Sequence, residues 1–205
     1  MSRLRLLGRN TSSNVQKVAW CLAELGVGYE REDIGGPFAG NDQPAYLDLN
    51  PNGLVPTLID DDVVVWESNT IVRYLCNRDA PTTLYPLEAG ARSQVERWMD
   101  WQLSRIGEVF GPMYRALIRE KRTAADVEAL RVRAAQLMGM LESSLGTCAF
   151  IAGADLTLAD IALGPFVYRW FELPIERPAL PALRRWYERL QSRPAYREHV
   201  MLPMQ

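Results

Sequence analysis

The stretch NGLVPTLIDDDVVVWESNTIVRYL, residues 52–75, sets two short apolar runs on either side of three consecutive aspartates. LVPTLI (54–59) and VVVW (63–66) have the length and composition of strands, and Asp60, Asp61 and Asp62 between them predict a hairpin with a three-residue turn. From Ser68 onward Ile71, Val72 and Leu75 recur at helical spacing, so a helix follows the hairpin. Two features go beyond a hairpin and a helix. Pro56 cannot donate to a sheet ladder, so it belongs at an edge or at a special bond. A cis Val55–Pro56 bond would turn the Val55 amide and carbonyl away from their own sheet, towards an extended ligand backbone; cis bonds are only about 5–6% of X–Pro bonds, so local sequence favours trans. Glu67 and Ser68 stand where the helix begins. One reading makes them a cap, Ser68 accepting an amide bond and Glu67 complementing the dipole. The other makes them a receptor for a zwitterionic α-amino-acid head, with free amides and the Ser68 hydroxyl on its carboxylate and Glu67 on its ammonium.

Upstream, Leu4–Leu7 reads as a buried strand ended by Gly8. A dense set of capping residues, Asn10 to Asn14, precedes a helical repeat of Val15, Val18, Ala19, Leu22 and Leu25 that Gly26 closes. GYEREDI (28–34) is a second strand, and the crossover helix makes the two strands parallel. Residues 35–53 are connector with one irregular helix. Downstream, Asn77 to about Glu88 carries Pro81 and Pro86 and breaks the pattern. A helical run from about 88 to 120 follows, expected to kink or split at Gly111-Pro112. Thr123 and Asp126 open another helix to about Leu145. In LTLADIAL, Thr157 and Asp160 form a capping box, with Leu156 and Ile161 as its hydrophobic staple. Pro181 starts an amphipathic helix in which Leu183, Trp186 and Leu190 share a face. The fold class is therefore α/β plus all-α: a β-α-β-(α)-β-β-α unit over residues 1–79, a linker at 80–87, and an all-helical domain at 88–205.

With 48% hydrophobic residues, the 205-residue chain can bury a core. A net charge of −2 supplies no field for nucleic acid or an anionic membrane, and the basic residues, nearly all arginine, are scattered. Cys21, Cys76 and Cys148 have neither disulfide nor zinc spacing. The N-terminal apolar run is too short for a signal peptide, and no segment approaches the roughly 20 apolar residues of a membrane span. A cytoplasmic protein without nucleic-acid, membrane or metal partners is expected. His199, the single histidine, is expected near an exposed end.

LVP at 54–56 and WES at 66–68 in a β-α-β, β-β-α half, followed by TLAD at 157–160 in an all-helical half, resemble the cytosolic glutathione transferases over nearly the whole chain. The likeness is to bacterial, serine-type (theta-, zeta- or nu-like) members. It implies a thioredoxin-like first domain with a cis Pro56. It also implies that the Leu54-Val55-Pro56 segment pairs through Val55 with the cysteinyl backbone of glutathione, and that Glu67 and Ser68 hold its γ-glutamyl end. Glutathione would be a co-substrate, the second substrate a small hydrophobic electrophile, the role detoxification, and the assembly a homodimer. The box at Thr157 and Asp160 serves folding.

Such an enzyme must make a thiolate. Lowering a thiol pKa of about 8.5 by ~2 units requires about 2.7 kcal/mol of preferential thiolate binding. A helix N-terminus and a hydroxyl or amide donor supply it. The segment placed for this, residues 10–18, has no tyrosine and no cysteine, and Cys21 lies inside the helix as an inert thiol. Thr11, Ser12, Ser13 and Asn14 are the candidates. Lys17-Val18 resembles the basic-apolar pair that follows the active-site loop of serine-type relatives. That anchor puts Ser12 at the hydroxyl position and Asn14 at an amide position, with Thr11 and Ser13 left open. Phe110, Met113 and Tyr114 are expected at the electrophile site, with Arg105 and Trp101 within reach and Trp98 in the core. Two alternatives remain at this point: glutathione-dependent reduction of disulfides or peroxides, and a non-catalytic binding protein on the same fold.

Overall fold

The computed structural model describes residues 4–78 and 82–204. The first element is β1 (Arg5–Leu7), whose neighbours Leu4, Leu6 and Leu7 are buried. Helix α1 (Ser13–Leu25) follows and ends on Gly26 in the left-handed conformation, φ 67°. Strand β2 (Glu30–Glu32) runs parallel to β1, as a helical crossover requires. The connector holds a 3₁₀ turn at Gly36–Phe38 and the short α2 (Pro44–Leu47). Strands β3 (Thr57–Asp60) and β4 (Val63–Trp66) form the hairpin, and α3 (Ser68–Arg78) closes the unit. The sheet order is β2-β1-β3-β4, with β3 antiparallel to both neighbours. The expected domain boundary at 79, and Ala80 and Pro81 of the linker, lie outside the described residues.

The hairpin departs from its sequence reading in three ways. Asp60 pairs with Val63 across the ladder, so the turn is Asp61-Asp62, two residues rather than three. Asp61 takes φ 49°, a conformation that aspartate tolerates better than most residues. Asp60 is instead a buried strand residue, its charge met by the Tyr74 hydroxyl at 2.8 Å and Arg78 at 3.2 Å. Pro56 lies just before β3, so the ladder loses no donor. Strand β4 is an edge, and Val63, Val64 and Trp66 stay exposed.

The second half is helical: α4 (Ala89–Trp101), α5 (Gly107–Tyr114), α6 (Glu128–Leu145), α7 (Leu158–Glu172), α8 (Pro181–Gln191) and α9 (Pro194–His199). Between Ala89 and Arg119 the chain never leaves the helix. Gly111-Pro112 sits inside α5, and the irregularities are two π turns, Gln102–Ile106 and Arg115–Arg119. The second turn closes with the Glu120 amide donating to the Arg115 carbonyl five residues back. The break expected at Gly-Pro is thus a widening of the turns on either side of it.

Helix α7 is the axis of this half and is buried along nearly its whole length. Its start is fixed by Asp160, whose carboxylate accepts from the Thr157 amide and hydroxyl, the Ile151 amide and the Trp186 indole, at 2.9–3.1 Å. Burial raises this carboxyl to about 6 against the pull of those four donors. Trp20 of α1 packs edge-on to Tyr196 of α9, and the Tyr196 hydroxyl donates to the Gly164 carbonyl at 2.9 Å. Glu24 of α1 accepts from Trp20 and from both arms of Arg193. The first domain is therefore clasped to the helical half through α1.

Candidate active site

A cavity of about 330 Å³ opens between the two halves, in the size range of small-molecule sites. The first half lines it with Arg9, Ser12, Ser13, Asn14, Val55 and Glu67 among others; the second half contributes Tyr114, Arg115, Arg119 and Arg169.

Ser12 occupies the N-cap position of α1 with extended backbone, φ −80° and ψ 122°, and its carbonyl accepts from the Gln16 amide. Its hydroxyl makes no capping bond. The first-turn amides of a helix lack intrahelical acceptors, and α1 has no acidic residue there to answer them. This mouth of the helix therefore presents a hydroxyl, amides and the positive end of a dipole, a setting that favours an anion. Ser13 and Asn14 also line the cavity, whereas Thr11 meets it only through its neighbours, its carbonyl taking a 3.1 Å bond from Arg169.

The Val55–Pro56 bond is cis. Among the described residues no hydrogen bond engages the Val55 amide or carbonyl. The loop that carries them is pinned from behind: the Leu54 carbonyl accepts from the Tyr46 hydroxyl at 2.6 Å and from the Asn50 amide at 2.8 Å, and Asn41 donates to the Gly53 carbonyl. Leu54 itself points out to solvent. An unpaired backbone edge on a braced loop suits the main chain of a peptide.

Glu67 holds φ +67°, a left-handed backbone that non-glycine residues adopt at a cost. It is exposed at the cavity wall, beside the buried Ser68 at the start of α3. Ser68 is not merely a cap. Its hydroxyl accepts from the Nζ of Lys17 at 3.0 Å, and the same ammonium reaches Asn69 Oδ1 at 3.0 Å and Gln102 Oε1 at 2.7 Å. Burial draws the Lys17 pKa down to about 7, with Glu67 pulling it up and Arg73 down.

Of the residues expected at the electrophile site, Tyr114 lines the cavity, whereas Phe110 and Met113 are fully buried and point into the core. Phe110 packs edge-on to Phe166 and Trp170. Arg105 is exposed outside the cavity, and Trp101 packs edge-on to Trp98. Cys21 and Cys76 are buried free thiols; the hydrogen bond between them, together with burial, pushes the Cys21 thiol well up, away from reactivity. His199 is half-buried rather than exposed. Sequence reasoning missed Lys17 as a brace and the arginines of the wall. The spacing of Gly111, Arg115 and Arg119, four residues apart on one helical run, was the available signal.

A four-stranded thioredoxin-like sheet joined to an all-helical domain, with a Glu-Ser pair, an unpaired Val55 backbone and a serine hydroxyl around one cleft, defines a thiol-tripeptide transferase architecture. The chain belongs to the glutathione S-transferase family: its N-terminal domain family model matches residues 11–78 and its C-terminal domain model residues 106–194. Glutathione S-transferase GstB of Escherichia coli (strain K12) is 36% identical over 206 residues, covering 98% of this chain and 99% of that protein. The disulfide-bond oxidoreductase YfcG of the same organism is 25% identical over 190 residues, 89% of this chain and 87% of that protein. Among solved structures, the theta class glutathione S-transferase from Xanthomonas axonopodis pv. citri with glutathione bound superposes with a TM-score of 0.94 at 44% identity, over the full length of both chains.

Proposed function

We propose that this transferase binds glutathione across the Val55 edge, with the γ-glutamyl ammonium on Glu67 and the adjoining carboxylate on Ser68 and the first amides of α3. That pose carries the cysteinyl sulfur to the mouth of α1. There the Ser12 hydroxyl donates to it, and the first-turn amides add dipole stabilisation to the thiolate. Asn14 flanks the same position, and Thr11 and Ser13 shape the turn. The thiolate then attacks an electrophile held against Tyr114; positioning and a pre-formed nucleophile supply the rate. The observation that carries this reading is the uncommitted Ser12 hydroxyl at a helix mouth sharing one cavity with Val55, Glu67 and Ser68.

The reading extends to a first domain at 1–79, a linker at 80–87 and a second domain at 88–205, to a cytoplasmic detoxifying role and to a homodimer. Exposed apolar side chains on β4 and at Leu103 support the last point, and sedimentation at working concentration tests it. For the chemistry, Ser12→Ala lowers kcat/KM for a chloronitroarene by about a hundredfold. The thiol ionisation in the pH–rate profile of the complex moves up, while the Kd for glutathione changes by less than about threefold. Unchanged kcat/KM together with an unshifted profile would transfer the role to Asn14 or remove it from the loop. Faster turnover of a small disulfide than of the chloronitroarene would favour the reductase reading, for which Asn14 at the cavity is the supporting feature.

A further inference from the structure

The wall of the cavity facing the thiol position is cationic rather than apolar. Arg9, Arg115, Arg119 and Arg169 all line it. Among the described residues no carboxylate pairs with any of the four. Arg169 is buried, its guanidinium 4.0 Å from the centre of the Tyr114 ring, with Arg119 5.8 Å from the same ring. Burial, and the proximity of Arg119 and Arg9, draw the pKa of Arg169 down to about 10, which leaves it charged at neutral pH.

The backbone makes room for Arg9. Gly35 and Gly36 both hold positive φ, and a Cβ on Gly36 would lie 2.9 Å from Arg9 Nε. That Nε is buried without a hydrogen-bond partner. A buried donor left unmet in a ligand cavity points to an acceptor that arrives with the ligand.

Charge balance shows what remains after glutathione enters. Among the described residues, four guanidinium groups against the single carboxylate of Glu67 give the cavity lining three positive charges. Glutathione as its thiolate carries two net negative charges, so one positive charge is left for the other substrate. We infer that the electrophile this enzyme prefers is an anion, a small molecule carrying a carboxylate, held by Arg9 and Arg119 over Tyr114. The inference rests on the proposed glutathione reading and replaces the hydrophobic electrophile expected from the family resemblance.

A matched pair of aryl chlorides tests it: 4-chloro-3-nitrobenzoate and its neutral twin 4-chloro-3-nitrobenzamide. In both, the thiolate sulfur gives an electron pair to the ring carbon bearing chlorine. Chloride leaves with the pair it shared with that carbon, and neither oxidant nor further proton is needed. Each kcat/KM is divided by the uncatalysed rate constant with glutathione at the same pH. The expected ratio of acid to amide is at least ten, shrinking as salt rises. In Arg119→Gln, on an exposed helix face, and in Arg9→Gln, the ratio falls at least fivefold. A ratio of one or less in the wild type, or one unmoved by both replacements, overturns the inference. Calorimetry with glutathione, run alongside, separates the two failures. Intact tripeptide binding and amide turnover without acid preference sink this inference alone; no tripeptide binding sinks the glutathione reading and this with it.

Discussion

Glu67 shows how a residue can be badly placed for folding and well placed for a ligand. Its left-handed backbone costs roughly 1–2 kcal/mol relative to an ordinary conformation, and among the described residues no hydrogen bond or ion pair of its side chain repays this. Glu67→Gly removes both the strain and the carboxylate. The melting temperature is expected to hold or rise by a few degrees while KM for glutathione rises tenfold or more; a fall in stability with KM unchanged would mean that Glu67 is there for the fold. Glu67, Ser68 and Val55 were singled out through the likeness of LVP and WES to the transferase motifs, because local sequence alone reads equally as a cap and favours a trans bond. The four wall arginines were not, because in a chain with 21 arginines type alone carries no information. The four-residue spacing of Arg115 and Arg119 hints at a shared helix face, but it is the absence of carboxylate partners among the described residues that singles out all four. Phe110 and Met113 were misplaced for a related reason: neighbours on one helix point a third of a turn apart, so choosing the cavity face needs the helix phase.

At the scale of elements, strong periodicity made helices and strands readable, but not how they are interrupted. Pro112 removes one donor, which argues for a break, but a single missing bond is absorbed where the adjoining turns widen to π geometry. The resulting run keeps Gly111, Tyr114, Arg115 and Arg119 on the cavity side. The hairpin turn was misjudged because Asp60 looks like its two neighbours, and nothing local says that Arg78 will neutralise it. The box at Thr157 and Asp160 was legible because all its parts lie within four residues. Helix α7 also supplies a stability test. A Cβ added to Gly164 would stand 2.6 Å from the Trp20 ring and 3.0 Å from Tyr196. Gly164→Ala should overpack the α1–α7 contact and cost about 1–3 kcal/mol by denaturant unfolding. A neutral or stabilising effect would show that the rings yield freely.

Over the whole molecule, Lys17 joins the halves: its Nζ bonds Ser68 and Asn69 of the first domain and Gln102 of the second. With the folded-state pKa near 7 and an unfolded value of 10.5, the unfolded chain binds this proton between those limits and the folded chain does not. Stability from this group is therefore complete above pH 10.5 and lost as pH falls through 7. Across that window wild-type unfolding free energy should climb, relative to Lys17→Met, by up to about 1.4 kcal/mol per pH unit. Parallel curves for the two proteins would place the lysine outside this linkage. The two-part architecture was readable from the order of elements, but no sequence pattern announces a bond between residues 17 and 102.

The clasp of α8 and α9 has a consequence for synthesis. Asp160 needs Trp186, Gly164 needs Tyr196 and Glu24 needs Arg193, so residues made early wait for partners made later. While the ribosome is still translating α8, Asp160 lacks its Trp186 donor and Glu24 its Arg193 partner, so the contacts that tie α1 and α7 to the C-terminal helices are completed only after α9 has emerged. A nascent chain halted between α7 and α8 lacks these three bonds, so its α1–α7 junction is expected to be cut faster by protease than that of the finished chain.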